Sequence, residues 1–137
     1  MKRLALGVCG LLLAFGAVTL LALEASDVAV LVTPRPGGGV RETHVWWADD
    51  GGGLLVEAAT PERPWLAEAE AAGEIDVVRD GRRERFRVER SPAPGAHDRL
   101  RALLRAKYGW RDAWVGLLQD TSRSVAVRLT PRDGDVR

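Results

Sequence analysis

The pattern of apolar and polar positions divides the chain after residue 23. Residues 4–23 form an uncharged run, with Lys2 and Arg3 before it and Glu24 and Asp27 after it. As a helix rising about 1.5 Å per residue, a run of this length spans roughly the 30 Å hydrocarbon core of a bilayer. The run therefore predicts a transmembrane helix, with the basic N-terminus in the cytoplasm and the rest of the chain on the outer side.

A cleaved signal peptide is the alternative interpretation of the same run. The apolar region of a signal peptide is usually shorter, about 7–15 residues, and ends at a small-residue cleavage site. This run is longer and has no clean Ala-x-Ala site at its end. An uncleaved anchor is favoured, and secretion after cleavage stays open.

The next pattern predicts a β-hairpin. Residues 28–33 are continuously apolar and β-branched, which is typical of a strand buried on both faces, and residues 34–39 then form a Pro- and Gly-rich turn. Residues 40–47 alternate, so one face of this strand carries Arg41, Thr43, Val45 and Trp47. Arg and Thr in line with Val and Trp suggest an anionic partner, and a phosphate-bearing ligand is the functional hypothesis. The simpler alternative is an exposed strand face with Arg41 paired to Glu57 or Asp49.

Six strands and three short helices are predicted after the anchor. The later strands are expected at 54–59, 74–79, 82–90 and 124–129, and the helices at 65–72, 97–108 and 110–119. Gly73 is expected to end the first of these helices, and Asp80-Gly81 suits a type I′ hairpin turn. Tight hairpins without a βαβ rhythm predict a mainly β (α+β) domain, a small antiparallel barrel of six strands. The predicted units are residues 1–23 (anchor or signal segment), 24–131 (barrel) and 132–137 (tail).

Charge and residue counts narrow the function classes. The chain of 137 residues has a net charge of +1, which argues against a nucleic-acid surface. Cys9 is the only cysteine, which excludes an intrachain disulfide and a cysteine-based metal cluster. His44 and His97 lie far apart without carboxylates at ligand spacing, so no metal site is predicted. Four aromatic residues are expected in the core or at a dimer interface: Trp46, Trp47, Trp110 and Trp114.

Four motifs occur in an order that resembles a known family. They are Val30-Leu31-Val32-Thr33, Gly39-x-Arg41-x-Thr43-x-Val45-Trp46, Pro64-Trp65 and Lys107-Tyr108-Gly109-Trp110. Over residues 28–131 the chain resembles the split-barrel flavin and deazaflavin oxidoreductases. The branch is that of the deazaflavin-dependent nitroreductases, also called nitroreductase/quinone reductase proteins. The superfamily includes the pyridoxamine phosphate oxidases.

The resemblance implies a split antiparallel barrel that holds a cofactor along its first hairpin. Thr33, Arg35, Arg41 and Thr43 are the implied cofactor-binding residues, and Trp47 and Trp65 are expected to border the substrate pocket. The implied cofactor is FMN or a deazaflavin coenzyme. Its reduced form supplies the hydride, so no catalytic side chain is expected. Members of this family often carry Asn where this chain has Glu68.

The predicted function is therefore a membrane-anchored oxidoreductase that transfers a hydride to a quinone- or nitro-type acceptor. The resemblance also implies a homodimer, with the cofactor groove at the interface. The alternative from a different class is a cofactor-free split barrel that serves as a membrane-tethered binding or structural module.

Overall fold

The computed structural model describes residues 2–24, 27–91 and 93–132. The helices are α1 (Lys2–Glu24), α2 (Pro64–Ala72), α3 (Ala96–Tyr108) and α4 (Trp110–Leu118). The strands are β1 (Ala29–Pro34), β2 (Val40–Val45), β3 (Trp47–Asp50), β4 (Gly53–Ala58), β5 (Glu74–Arg79), β6 (Arg82–Arg90) and β7 (Val125–Pro131). The last five residues of the predicted tail lie outside the described residues.

The seven strands form one antiparallel sheet in the order β2-β1-β5-β6-β7-β4-β3. The prediction of six strands was wrong by one, because the strand expected at 40–47 divides at Trp46. Before this residue the chain pairs with β1, and after it the chain pairs with β4. β2 and β3 are therefore the two ends of the sheet, joined by Trp46 alone. The sheet must curl to bring its ends together, which produces a half-barrel.

Two local predictions about chain reversal are confirmed. Gly73 ends α2 in the left-handed conformation with φ 71°, and its N–H bonds to the carbonyl of Ala69. Asp80 and Gly81 join β5 to β6 with φ values of 49° and 72°. Two successive positive φ values are the requirement of a type I′ turn.

The core has two parts, one on each side of the sheet. Inside the barrel, α2 packs Trp65, Leu66 and Ala69 against strand residues that include Leu31, Val56, Val77, Phe86 and Leu129. On the other side, α3 packs Leu100, Leu104 and Tyr108 against Ala48, Leu55 and Ala126. The alternation within residues 82–90 predicts that Phe86 and Val88 of β6 face the core, and both are buried.

α1 lies against α4. The rings of Phe15 and Trp114 have centroids 5.4 Å apart, and the indole Nε1 of Trp114 donates to the hydroxyl of Thr19 at 3.2 Å. Within α1, Ala5–Ala22 has a mean hydropathy of 2.3 and is almost wholly exposed. Its length and composition suffice to cross a membrane, although a signal sequence meets the same criteria.

A tyrosine ties the start of the barrel to α3. The hydroxyl of Tyr108, at the end of α3, donates to the carbonyl of Asp27 at 2.6 Å and accepts from the N–H of Trp47 at 3.2 Å. Burial is the main reason that the pKa of Tyr108 rises to about 12, and the nearby Asp27 carboxylate adds to it.

Candidate functional site

A cavity of about 340 Å³ opens between the strands β2 and β4, the start of α2 and the C-terminal half of α4. Cavities that hold small ligands have volumes of roughly 300–1,000 Å³. Eleven residues line the wall: Val28, Thr43, His44, Val45, Trp46, Glu57, Ala59, Arg63, Trp65, Val115 and Gln119. The wall combines indole rings with polar groups, which suits a flat ring system that carries hydrogen-bonding edges.

Two of the predicted site residues, Thr43 and Trp65, meet at this cavity. Thr43 comes from the middle of β2, and Trp65 is the second residue of α2, directly after the Pro64 that begins the helix. Proline is favoured at this position because its fixed φ suits a first helical turn. Trp46 forms part of the same wall and stacks on Tyr108, with ring centroids 4.5 Å apart and an interplanar angle of 11°.

Arg63 is a residue of the cavity wall that the sequence did not single out. It immediately precedes α2, is exposed, and has no ion pair within the described part of the chain. The N-terminal end of a helix already carries partial positive charge. A guanidinium at this end creates a local surplus of positive charge beside the cavity. The sequence feature that could have identified Arg63 is its position directly before Pro64, the proline that begins α2.

The other three predicted cofactor-binding residues surround Glu68 on α2. Arg41 donates from Nε and Nη2 to the two carboxylate oxygens of Glu68, at 2.9 and 3.0 Å. The buried hydroxyl of Thr33 donates to the same carboxylate at 2.9 Å. Arg41 is the main cause of a lowered pKa at Glu68, and Thr33 and the charge of Arg35 contribute. The anionic partner of Arg41 in this structure is therefore a side chain of the protein itself.

Pairing of Arg41 with Glu57 or Asp49, the simpler expectation, is wrong. Glu57 instead pairs with Arg101 of α3, whose Nη1 lies 3.1 Å from both carboxylate oxygens. The Nη2 of Arg101 donates to Asp112 of α4 at 2.5 Å. This Glu57–Arg101–Asp112 network connects the cavity wall to both outer helices.

Trp47, expected to border the substrate pocket, lies in the barrel core instead of the cavity wall. Only 5% of this residue is exposed. The ammonium of Lys107 lies 3.0 Å from its ring centroid, and the guanidinium of Arg79 lies 4.9 Å from it. Trp47 begins β3 and belongs, with Val45 and Val56, to the core cluster inside the barrel. The ring of Trp47 therefore makes cation–π contacts with two side chains of the protein itself.

Several solved structures have a fold similar to that of this domain. No protein-family model and no curated protein matches the sequence. A candidate pyridoxamine 5′-phosphate oxidase from Listeria innocua superposes with a TM-score of 0.56 at 17% identity, covering 82% of this chain and 90% of that one. A FAD-binding protein from Mesorhizobium loti gives 0.56 at 17% identity, covering 81% and 85%. An F420 reductase gives 0.51 at 17% identity, covering 82% and 92%.

These similarities define the class of the fold. The domain shares the split-barrel fold of these three proteins. Identities this low establish a shared fold and leave the activity to be argued from the site.

Proposed function

We propose that this protein binds FMN or a deazaflavin coenzyme in the cavity beside β2 and reduces a quinone- or nitro-type acceptor. When bound, the reduced coenzyme would supply a hydride, which together with a proton from water would convert a quinone to the hydroquinone. The observation that carries the proposal is the meeting of Thr43 and Trp65 at a ligand-sized cavity in a flavin-type split barrel.

The aromatic part of the cavity suits the ring system. Trp46, which is partly exposed, offers an apolar surface against which a flat tricyclic ring can pack. Trp65 is only 4% exposed and adds a small part of the wall, and the Thr43 hydroxyl can bond to a ring edge. No side chain has to act as a nucleophile, because the coenzyme carries the hydride. The protein binds the ring, orients it and limits the access of water.

The phosphate of the coenzyme has two candidate partners. Arg63 stands free at the cavity rim, where a guanidinium can grip a phosphate with two parallel bonds. Arg41, the residue predicted for this role with Arg35 and Thr33, is held by Glu68. In the arrangement described, Arg63 therefore fits a phosphate better than Arg41 does.

The engagement of Arg41 supports one alternative function, a cofactor-free barrel that serves as a membrane-tethered binding or structural module. Glu68 satisfies both the guanidinium fork and the Thr33 hydroxyl. A carboxylate at this position repels a phosphate that approaches the same fork. If Arg63 does not bind phosphate either, this alternative accounts for the site better.

The test is a titration of the purified full chain with FMN and with a deazaflavin coenzyme, followed by absorbance and tryptophan fluorescence. We expect binding of one of them, and a roughly ten- to hundredfold loss for Arg63→Ala, the usual result of removing a charge-assisted bond. Arg87→Ala, an exposed arginine on β6, is the matched control and should leave the affinity unchanged.

Two further variants separate the candidate phosphate partners. If Arg63 is the partner, Arg41→Ala leaves the affinity close to that of the wild type. If Arg41 is the partner, Arg41→Ala weakens binding and Glu68→Gln strengthens it, since the glutamine removes the competing charge. Failure of the wild type to bind either coenzyme would refute the oxidoreductase and favour the cofactor-free module.

We also propose that α1 anchors the protein in a membrane with the barrel on the outer side. The support is the apolar stretch Ala5–Ala22 preceded by Lys2 and Arg3. A reporter fused after the last residue should lie outside the cytoplasm and stay in the membrane fraction after a high-salt wash. Release of a product shorter by about twenty residues would indicate a cleaved signal peptide instead.

The proposed assembly is a homodimer, as expected for this fold. Each of the two end strands, β2 and β3, has a strand partner on one side only among the described residues. Unpaired strand edges are surfaces that proteins cover or pair. Light scattering of the detergent-solubilised protein at several concentrations would give the mass; a monomer at all of them would contradict this assembly.

A further inference from the structure

α4 carries an apolar stripe that is largely exposed within the described part of the chain. Trp110 is 56% exposed, Leu117 81% and Leu118 47%. With Trp114 these residues are spaced as the first, fifth, eighth and ninth positions of one helix, which places them along a single side. Neighbouring large apolar side chains that remain exposed usually mark a surface that contacts another apolar phase.

The opposite side of α4 faces the domain and carries a buried aspartate. Asp112 is 2% exposed and accepts from Arg101 of α3. This contact fixes the rotation of the helix about its axis, because the aspartate must stay on the buried side. The apolar stripe is thereby held outward, and the helix has the two-sided character of one that lies in a membrane interface.

α4 is held beside the middle of the apolar α1 helix. Trp114 contacts Phe15 through its ring and Thr19 through its indole nitrogen. Thr19 precedes Glu24, the last residue of α1, by five positions, and Phe15 precedes it by nine. At 1.5 Å per residue, these contacts lie roughly 7 and 14 Å below the end of the helix. Lipid that surrounds α1 must therefore also reach α4.

We propose that α4 is an interfacial helix that lies in the outer leaflet of the membrane, with Trp110, Leu117 and Leu118 in contact with lipid. The proposal rests on the membrane anchor of the proposed function. The bilayer is the occupant of this surface because the apolar stripe adjoins the exposed apolar side of α1, at Leu11, Leu12 and Phe15. Tryptophan near the membrane–water boundary is typical of such helices.

The position of α4 also decides where the cavity opens. Val115 and Gln119, on and just after α4, belong to the cavity wall. With α4 in the outer leaflet, this part of the rim lies at the lipid surface. An apolar acceptor dissolved in the bilayer then reaches the cavity without crossing water.

The test places single cysteines in the full chain, reconstituted in vesicles of phosphatidylcholine and phosphatidylglycerol. Cys9 is the only natural cysteine, so Cys9→Ser provides a clean background. Leu117→Cys reports on α4, Leu13→Cys on α1, and Ala67→Cys on an exposed position of α2 as the matched control. Each cysteine carries an environment-sensitive fluorophore, and the quencher is a nitroxide attached to the lipid acyl chain.

We expect a blue-shifted, quenched fluorophore at positions 13 and 117 and an unquenched one at position 67. Quenching at 13 without quenching at 117 would overturn the proposal and leave the anchor intact. Absence of quenching at 13 would overturn the anchor and the proposal together, without bearing on coenzyme binding. A fluorophore at 117 that is blue-shifted, unquenched and concentration-dependent would show that a second copy covers α4, which also refutes the proposal.

Discussion

Removal of Arg101 tests whether the Glu57–Arg101–Asp112 network holds α3, α4 and the cavity wall together. The side chain of Arg101 is 11% exposed, that of Glu57 16% and that of Asp112 3%. Arg101→Met keeps the length and apolar character of the side chain and removes only its charge and donors. The variant leaves two carboxylates without their main partner, one of them almost fully buried.

The expected destabilisation follows from the burial of Asp112. Breaking a buried ion pair by removing one partner typically costs about 3–5 kcal/mol, because it leaves an uncompensated charge. Two features favour the lower end of this range. Glu57 is partly reached by water, and the Nε of Arg105 remains 3.9 Å from the second oxygen of Asp112. We expect a loss of about 3 kcal/mol, or roughly 1–3 M in the urea midpoint for an ordinary m value.

The assay is urea unfolding of the full chain in detergent, monitored by tryptophan fluorescence. Arg101→Met combined with Asp112→Asn should regain part of the lost stability, since the double variant has no buried unpaired aspartate. Arg83→Met is the control, because Arg83 is 59% exposed in its pair with Asp76 and should contribute under about 1 kcal/mol. A loss for Arg101→Met no larger than that of the control, or a double variant less stable than either single variant, would refute the reasoning.

Three other outcomes are expected. Tyr108 is the only tyrosine, and its phenolate absorbance should appear around pH 12. Folding raises the pKa of Tyr108 from the unfolded value of about 10, so its contribution to the free energy of unfolding is fully present below pH 10 and is lost as the pH rises through 12. The pKa of Asp50 is lowered, mainly by Arg99, so the ionised carboxylate stabilises the fold above about pH 4 and this stabilisation is lost as the pH falls further. The urea midpoints of the wild type and of Asp50→Asn should therefore differ above about pH 4 and converge at lower pH. Gly53→Ala should lose about 1–3 kcal/mol in the same urea assay, because its Cβ would lie 2.8 Å from the carbonyl oxygen of Leu129.

Local sequence signals were sufficient for most of the fold. The alternation of β6 identified Phe86 and Val88 as buried, and Asp80-Gly81 identified the hairpin that precedes them. The break at Trp46 was not predictable, because Val45-Trp46-Trp47-Ala48 is a continuous apolar run without a glycine or proline to mark a turn. Only the strands on either side, β1 and β4, reveal that the chain changes partners there.

The candidate site depended more on tertiary structure. Sequence reasoning expected an anion near Arg41 and noted Glu68 as a departure from the family, but it did not connect the two residues, which lie 27 positions apart. The face of a short helix that is rich in alanine and glutamate has no strong apolar stripe to reveal which glutamate turns inward. Arg63 was overlooked for a similar reason, since a single exposed arginine beside a proline is common on protein surfaces.

The bond from Tyr108 to the carbonyl of Asp27 limits how far the barrel can reach. Asp27 follows the last residue of α1 by only three positions, and α3 already holds it. With α1 as the proposed membrane anchor, so few residues separate it from the barrel that the domain would have no free tether on which to swing over the membrane. Substrates and partners would then have to diffuse to this domain. A flexible insertion between α1 and β1 would let the domain move farther from the end of α1, and its distance from that end would no longer be fixed.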